Sequence, residues 1–339
     1  MARPKVRRGH THSRTEIEAR WRIEEAFEQF LRAKRLEQLK PRTLEDHRLH
    51  HQYFMRWLKA AYPNIRFADE IDTEVIRAYI DFMLTPCDKD IESESKQVGS
   101  SLSPVTVNVR LRTLKTFFRW LQSEGFICEN PTTNIKLLRT ELDTIQGFTA
   151  EQIALLLAQP DVNTYVGFRD YCLMLFLLDT GARIQETLAT TRTNVDLVEH
   201  HVMFGARTTK TRKSRIVPIS QKTANALKEL IEENREHFGE KVEHIFVSVQ
   251  GVPLDASTIR ARLREYGKMA GIDKQCRVSP HTFRHTFARL YIRNGGDVFT
   301  LQRILGHSSM EMVRKYVQME QSDLQEAHWK FSPLNSIKI

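Results

Sequence analysis

From Val107 to Leu121 the apolar side chains recur at 107, 111, 114, 118 and 121, stepping by four and by three. Only an α-helix returns to one face at that interval, so this stretch is a helix with a single stripe to bury. Ser103-Pro104 supplies its start, a capping hydroxyl followed by proline in the first turn. The same period runs through most of residues 21–125. Phe27, Phe30 and Leu31 mark one helix. Pro41 then breaks the pattern, Thr43 with Asp46 makes a capping-box variant, and Leu44, His51, Phe54, Met55 and Leu58 mark a second helix. Thr73 caps a third, carrying Ile76, Tyr79, Ile80 and Met83. Each stripe reads as core, and residues 85–103 read as a polar loop. The face of the last helix away from its stripe carries Arg110, Arg112, Lys115 and Arg119; these either track phosphates or form a solvated face.

The pattern changes after Asn130-Pro131. Residues 131–146 read as a linker, and Thr149 with Gln152 forms a capping box that opens a second domain over 147–322. A chain of 339 residues accommodates two domains at roughly 100–200 residues each. Residues 169–178 are apolar nearly all round, hence a buried helix, ending at Gly181. Residues 195–219 predict a small antiparallel sheet, with Val202-Met203-Phe204 and Ile216-Val217-Pro218-Ile219 separated by a polar turn. Helices follow near 221–236, 257–270, 280–293 and 297–305. The expected fold is mainly α with one small antiparallel β-sheet in the second domain. Residues 323–339 form a tail with Leu324, Trp329, Phe331, Leu334 and Ile337, which packs either on a neighbouring protomer or on its own domain.

Charge narrows the class of partner. Lys and Arg total 51 against 42 Asp and Glu, a net charge of +9, which suits a polyanion and otherwise describes a basic enzyme. Residues 1–20, with Arg3, Lys5, Arg7, Arg8 and Arg14, read as a flexible basic arm. No window nears the roughly 18 consecutive apolar residues of a membrane span, and no apolar core follows the basic N-terminus as in a secretory signal. The four cysteines (Cys87, Cys128, Cys172, Cys276) lie far apart, with no zinc-ribbon spacing and no disulfide framework. A reducing, cytoplasmic setting fits.

Four segments of the second domain carry chemistry. Thr180-Gly181-Ala182-Arg183-Ile184-Gln185-Glu186 ends one helix at a glycine and starts another at an arginine. Between Arg207 and Arg215 five of nine residues are basic and none is acidic, a cationic hairpin tip that either contacts a polyanion or blunts a sheet edge. Ser279-Pro280 starts a helix that places His281 and Arg284 on one face. His281 and His285 have the spacing of a zincin, but Thr282 stands where that motif needs glutamate and no third ligand is evident; His285 reads as a packed core histidine. Leu305-Gly306-His307 is followed nine residues later by Tyr316.

In this order, Arg183, Lys210, His281-x-x-Arg284, Gly306-His307 and Tyr316 resemble the tyrosine recombinase (phage integrase) family. The resemblance spans about residues 22–320, including Leu102-Ser103-Pro104, the run Thr116-Phe117-Phe118-Arg119-Trp120-Leu121, and the hairpin from Thr209 to Pro218. It implies a SAM-like core-binding domain over 21–130 and a catalytic domain over 147–322, closing on DNA as a two-domain C-shaped clamp. It implies that Tyr316 is the nucleophile, Lys210 the catalytic lysine with Lys213 as a nearby competitor, and Glu186 a supporting acid. Arg212, Lys213 and Arg215 are expected to contact DNA alongside the four basic residues of the 104–123 helix.

The residue types suit attack on a phosphodiester. Guanidinium groups donate paired hydrogen bonds to non-bridging oxygens and stay charged, so Arg183 and Arg284 make a transition-state clamp. Tyrosine, with an ordinary pKa near 10, needs positive surroundings or a base; His281 can take its proton and His307 can donate to the phosphate. The resemblance implies a 3′-phosphotyrosyl intermediate, no metal, no cofactor, and a homo-tetramer acting on two specific double-stranded DNA sites. The short segment before the core-binding domain favours an Xer-like or transposon-type enzyme over an arm-site integrase. The competing readings are a type IB topoisomerase, which the core-binding bundle disfavours, and a non-catalytic DNA-binding protein, which an intact set of six positions disfavours.

Overall fold

The computed structural model describes residues 20–86, 101–140, 147–205 and 213–306, with Met310, Val313, Gln325, His328, Trp329, Lys330, Ser332 and Leu334. The chain divides into two units, Met1–Leu142 and Asp143–Ile339. Lys210, Arg212, His307 and Tyr316 lie outside the described residues, as do the basic arm over 1–19 and most of the tail. The described residues are mainly helical, with one small antiparallel sheet.

The first unit holds α1 (Ile23–Leu36), α2 (Pro41–Ala61), α3 (Thr73–Leu84) and α4 (Pro104–Ser123). The stripe of α4 is buried throughout, from Val107 to Leu121, and α4 packs against the other three helices. Aromatic rings fill the centre: Phe27 stacks on His51 at 3.6 Å and meets Phe117 edge-on at 5.4 Å. Two helix starts differ from the sequence expectation. Pro41 is the first residue of α2, with Lys40 preceding it and no side-chain cap; proline is tolerated there because that N–H has no intrahelical partner anyway. For α3 the cap is Asp72, whose Oδ1 accepts from Val75 N–H at 2.9 Å, while the Thr73 hydroxyl donates to Pro131 O.

Side chains of α4 also hold the segment leaving this unit. Asn108 donates to Leu138 O at 2.9 Å and accepts from Leu138 N–H at 2.8 Å. Lys115 Nζ donates to Thr132 O and Ile135 O, both at 2.6 Å.

The second unit contains α5 (Ala150–Leu157), α6 (Tyr165–Thr180), α7 (Ile184–Leu188), β1 (Val195–Asp196), β2 (His201–Phe204), β3 (Arg215–Pro218), α8 (Gln221–Phe238), α9 (Ala256–Met269), α10 (Pro280–Arg293) and α11 (Val298–Leu305). The strands pair antiparallel in the order β1-β2-β3. Val202 opposite Val217 faces the core, and Met203 opposite Ile216 faces out, the period-two alternation of a sheet with one covered side. The two-residue β1 opens the segment 195–219 expected to form the sheet, although the sequence marks only the other two strands. Helix α6 is buried nearly all round and packs against α8 and α10. Inside it, Asp170 pairs with Arg169 at 2.7 Å and with Arg262, and accepts from the Tyr266 hydroxyl at 2.9 Å. No helix among the described residues is long and apolar enough to cross a membrane.

Candidate active site

Helix α6 ends at Gly181, whose φ of 56° lies in the left-handed region. A Cβ there would meet Phe287 at 2.4 Å and Leu305 at 2.8 Å, so glycine is required by both conformation and space. Two residues later Arg183 caps α7. Its backbone N–H donates to Glu186 Oε2 at 3.0 Å, the return half of a capping box, and its Nη1 donates to Oε1 at 3.1 Å. The Arg183 side chain keeps 23% of its surface exposed, whereas that of Glu186 is 1% exposed.

Glu186 is also gripped from the sheet. Arg215 on β3 donates through Nη2 to Oε2 at 2.7 Å and through Nη1 to Oε1 at 3.3 Å. Burial alone would raise the Glu186 pKa, but the hydrogen bonds and charges of Arg215 and Arg183 hold it below the usual carboxylate range. Arg215 also donates through Nε to Ile304 O at 2.7 Å and lies over the Phe204 ring at 4.6 Å. Arg284, on α10, is 3% exposed. Its Nη1 donates to Gly181 O at 2.7 Å and its Nη2 to Leu305 O at 2.8 Å. Gly306 follows in the left-handed region, φ 63°, close against Arg215.

His281 stands in the first turn of α10 after the Ser279 cap. Its Nε2 lies 3.1 Å from His285 Nε2, with the rings edge to face. Partial desolvation of its ring, and then the charges of Arg284, Arg277 and Arg183, lower the His281 pKa. Burial, then His281 and Arg284, push His285 down to about 4. Among the described residues no group of three or more His, Cys, Asp or Glu side chains is placed to hold a metal ion.

The structure thus brings Arg183, Glu186, His281 and Arg284 together around the end of α6 and the start of α10. Three basic residues expected to face DNA are placed otherwise. Arg110 is 6% exposed, with its guanidinium over the Tyr53 ring at 4.1 Å. Lys115 spends its ammonium on two backbone carbonyls. Arg215 is engaged by Glu186 and Ile304. Arg112, Arg119 and Lys213 are exposed. The partners of Arg215 and the contact between His285 and His281 are the features the sequence reading missed. For Arg215 a signal existed: it lies two residues from Val217 on one strand, and residues two apart share a face.

Residues 146–323 match the model of the phage integrase family. The chain is 31% identical over 247 residues to tyrosine recombinase XerD of Chlorobaculum tepidum, covering 71% of this chain and 78% of that protein. It is 29% identical over 229 residues to tyrosine recombinase XerC of Chlamydia caviae, covering 67% and 72%. Among solved structures, the Tn1549 transposon integrase in complex with transposon right end DNA superposes with a TM-score of 0.70 at 18% identity, over 92% of this chain and 100% of that one. The XerH site-specific recombinase bound to palindromic difH substrate gives 0.65 at 19% identity, over 85% and 80%. At those identities the structural likeness is one of fold.

Proposed function

The chain belongs to the phage integrase family of tyrosine recombinases, enzymes that transfer DNA strands, and we propose that its catalytic residues are Arg183, Lys210, His281, Arg284, His307 and Tyr316, with Glu186 holding Arg183. The activity is site-specific DNA recombination. The observation that carries the assignment is the convergence of Arg183 and Arg284 on the end of α6. Glu186 aligns the Arg183 guanidinium, and Gly181 O holds Arg284.

In this reading the Tyr316 hydroxyl attacks phosphorus. The bond to the 5′-oxygen breaks, a 3′-phosphotyrosyl link forms, and a 5′-hydroxyl is released. His281 takes the tyrosine proton and Lys210 protonates the leaving oxygen. Arg183 and Arg284 stabilise the charge that develops on the non-bridging oxygens, and His307 donates to the same phosphate. The phosphoester bond is exchanged, not spent, so the step requires neither ATP nor metal. Exposed Arg112, Arg119 and Lys213, with Arg212, contact the DNA backbone. A homo-tetramer on two sites, acting on a replicon or mobile element in the cytoplasm, completes the proposal.

Tyr316→Phe removes one hydroxyl and nothing else. The variant should bind site DNA as the native protein does and form no covalent adduct with a nicked suicide substrate. An adduct formed by Tyr316→Phe would move the nucleophile elsewhere, with Tyr291 tested next.

A further inference from the structure

His285 has no part in the reaction described above, yet its ring is buried and aimed at a residue that has one. The 3.1 Å separation of His281 Nε2 and His285 Nε2 is a hydrogen-bond distance. Two lone pairs at that distance repel and two N–H groups collide, so a single proton lies between them. The tautomers of the two rings are therefore complementary. The i,i+4 spacing on α10 holds the rings side by side, and burial of His285 removes water as a competing partner.

We infer that His285 is a positioning residue whose Nε2 accepts a hydrogen bond from Nε2–H of His281, so that His281 presents a bare Nδ1 lone pair. Among the described residues, the charged groups around the pair are Arg284, Arg277 and Arg183 on the His281 side and Arg284 on the His285 side. Their positive charge favours an exposed lone pair over an exposed N–H. When Nδ1 takes a proton, His281 becomes a cation whose Nε2–H already has its acceptor, and that bond strengthens because its donor is charged. A carboxylate at position 285 would hold the same tautomer but pair with the guanidiniums. A neutral imidazole orients His281 without neutralising the phosphate clamp. Setting a base's tautomer through its second ring nitrogen is a general device of histidine chemistry.

This inference rests on His281 being the proton acceptor, and the test separates the two. Long-range proton–nitrogen NMR of the full chain with 15N-histidine, assigned through His281→Ala and His285→Phe, reads each tautomer directly. His281 should show a protonated Nε2 and an unprotonated Nδ1, and His285 the reverse. In His285→Phe the His281 tautomer should become mixed. Single-turnover cleavage of the suicide substrate should fall about 10–100-fold, by analogy with loss of the hydrogen-bond partner of a metal-bound histidine, with DNA affinity unchanged. The acidic limb of its pH–rate profile should move to lower pH, because the imidazolium has lost its acceptor. His285→Gln, whose amide oxygen can accept, should recover much of the rate. A merely structural role would lower the rate without moving that limb or the tautomer. Native protein with His281 protonated on Nδ1 overturns the inference, a result that needs no variant to fold. His285→Phe with native tautomer, rate and profile overturns it equally. Native cleavage by His281→Ala would instead remove the reading of His281 as base, while the tautomer spectra still decide the pairing.

Discussion

Arg215 and Arg284 donate to neighbouring carbonyl oxygens at the end of α11, Arg215 Nε to Ile304 O at 2.7 Å and Arg284 Nη2 to Leu305 O at 2.8 Å. The last carbonyls of a helix have no intrahelical donors. Two arginines from different elements supply them here, one residue before Gly306 turns the chain toward His307. The end of α11, the strand after the hairpin and the anchor of Arg183 are thereby joined through two side chains.

Removing Arg215 should be costly. Arg215→Met leaves a buried Glu186 carboxylate with Arg183 as its remaining charged partner, and loss of one member of a buried pair typically destabilises by about 3–5 kcal/mol. Arg215→Met with Glu186→Met should cost less than the two single changes added together. Urea unfolding of the four proteins measures this, and strict additivity would show that the pair is not energetically coupled.

The two clamp arginines should separate by stability. Arg183→Lys and Arg284→Lys should each lower single-turnover cleavage by roughly 10²–10³ through loss of paired donors. Only Arg284→Lys should also lower the melting temperature clearly, because both its Nη atoms hold backbone carbonyls. Native cleavage rates in both would exclude the clamp role.

The two lysines of the hairpin should differ in chemistry. Lys210→Ala should slow cleavage of a normal phosphodiester far more than one with a 5′-bridging sulfur, since a thiolate leaves without a proton. Lys213→Ala should weaken binding and reduce the salt dependence by about one phosphate contact. Rescue of Lys213→Ala by the sulfur substrate would exchange the two roles.

The first unit should weaken in acid. His51 is buried, Nε2 has no hydrogen-bond partner among the described residues, and burial pushes its pKa down to about 4. Glu24 and Lys59 face it with opposite charges and pair with each other at 3.1 Å. The folded pKa lies below the unfolded value near 6.5, so unfolded chains bind the extra proton and stability falls as pH drops from 6.5 toward 4. The gap corresponds to about 3 kcal/mol. Three of the four tryptophans, Trp21, Trp57 and Trp120, lie in this unit, so fluorescence-detected urea unfolding reports on it. His51→Phe keeps the ring against Phe27 and should flatten this part of the pH dependence; an unchanged slope would acquit His51.

Much of this was legible in the chain because its helices announce themselves by period and cap. The α4 stripe, the Ser103 and Ser279 starts and the glycine end of α6 are all local signals. The misplacements of Arg110 and Arg215 share one cause, a charged residue assigned outward because it was charged. Arg110 lies three residues after Val107 and four before Leu114, spacings that put it on the buried face, and Arg215 shares a strand face with Val217. Period outweighed charge in both places, since Tyr53 and Glu186 were there to receive the guanidiniums. The contact between His281 and His285 was beyond periodicity: i,i+4 spacing brings two rings near, but only side-chain rotamers decide which nitrogens meet.

The burial of α6 has a kinetic consequence. Amide protons in a helix wrapped by α8 and α10 should exchange with solvent only when most of the unit opens, on timescales far longer than loop motion. Arg183 hangs from the end of that helix by three residues, and Arg284 donates to Gly181 O, the cap that closes it. The two arginines proposed to bind phosphate should therefore keep the clock of this buried helix, set in place before any DNA arrives.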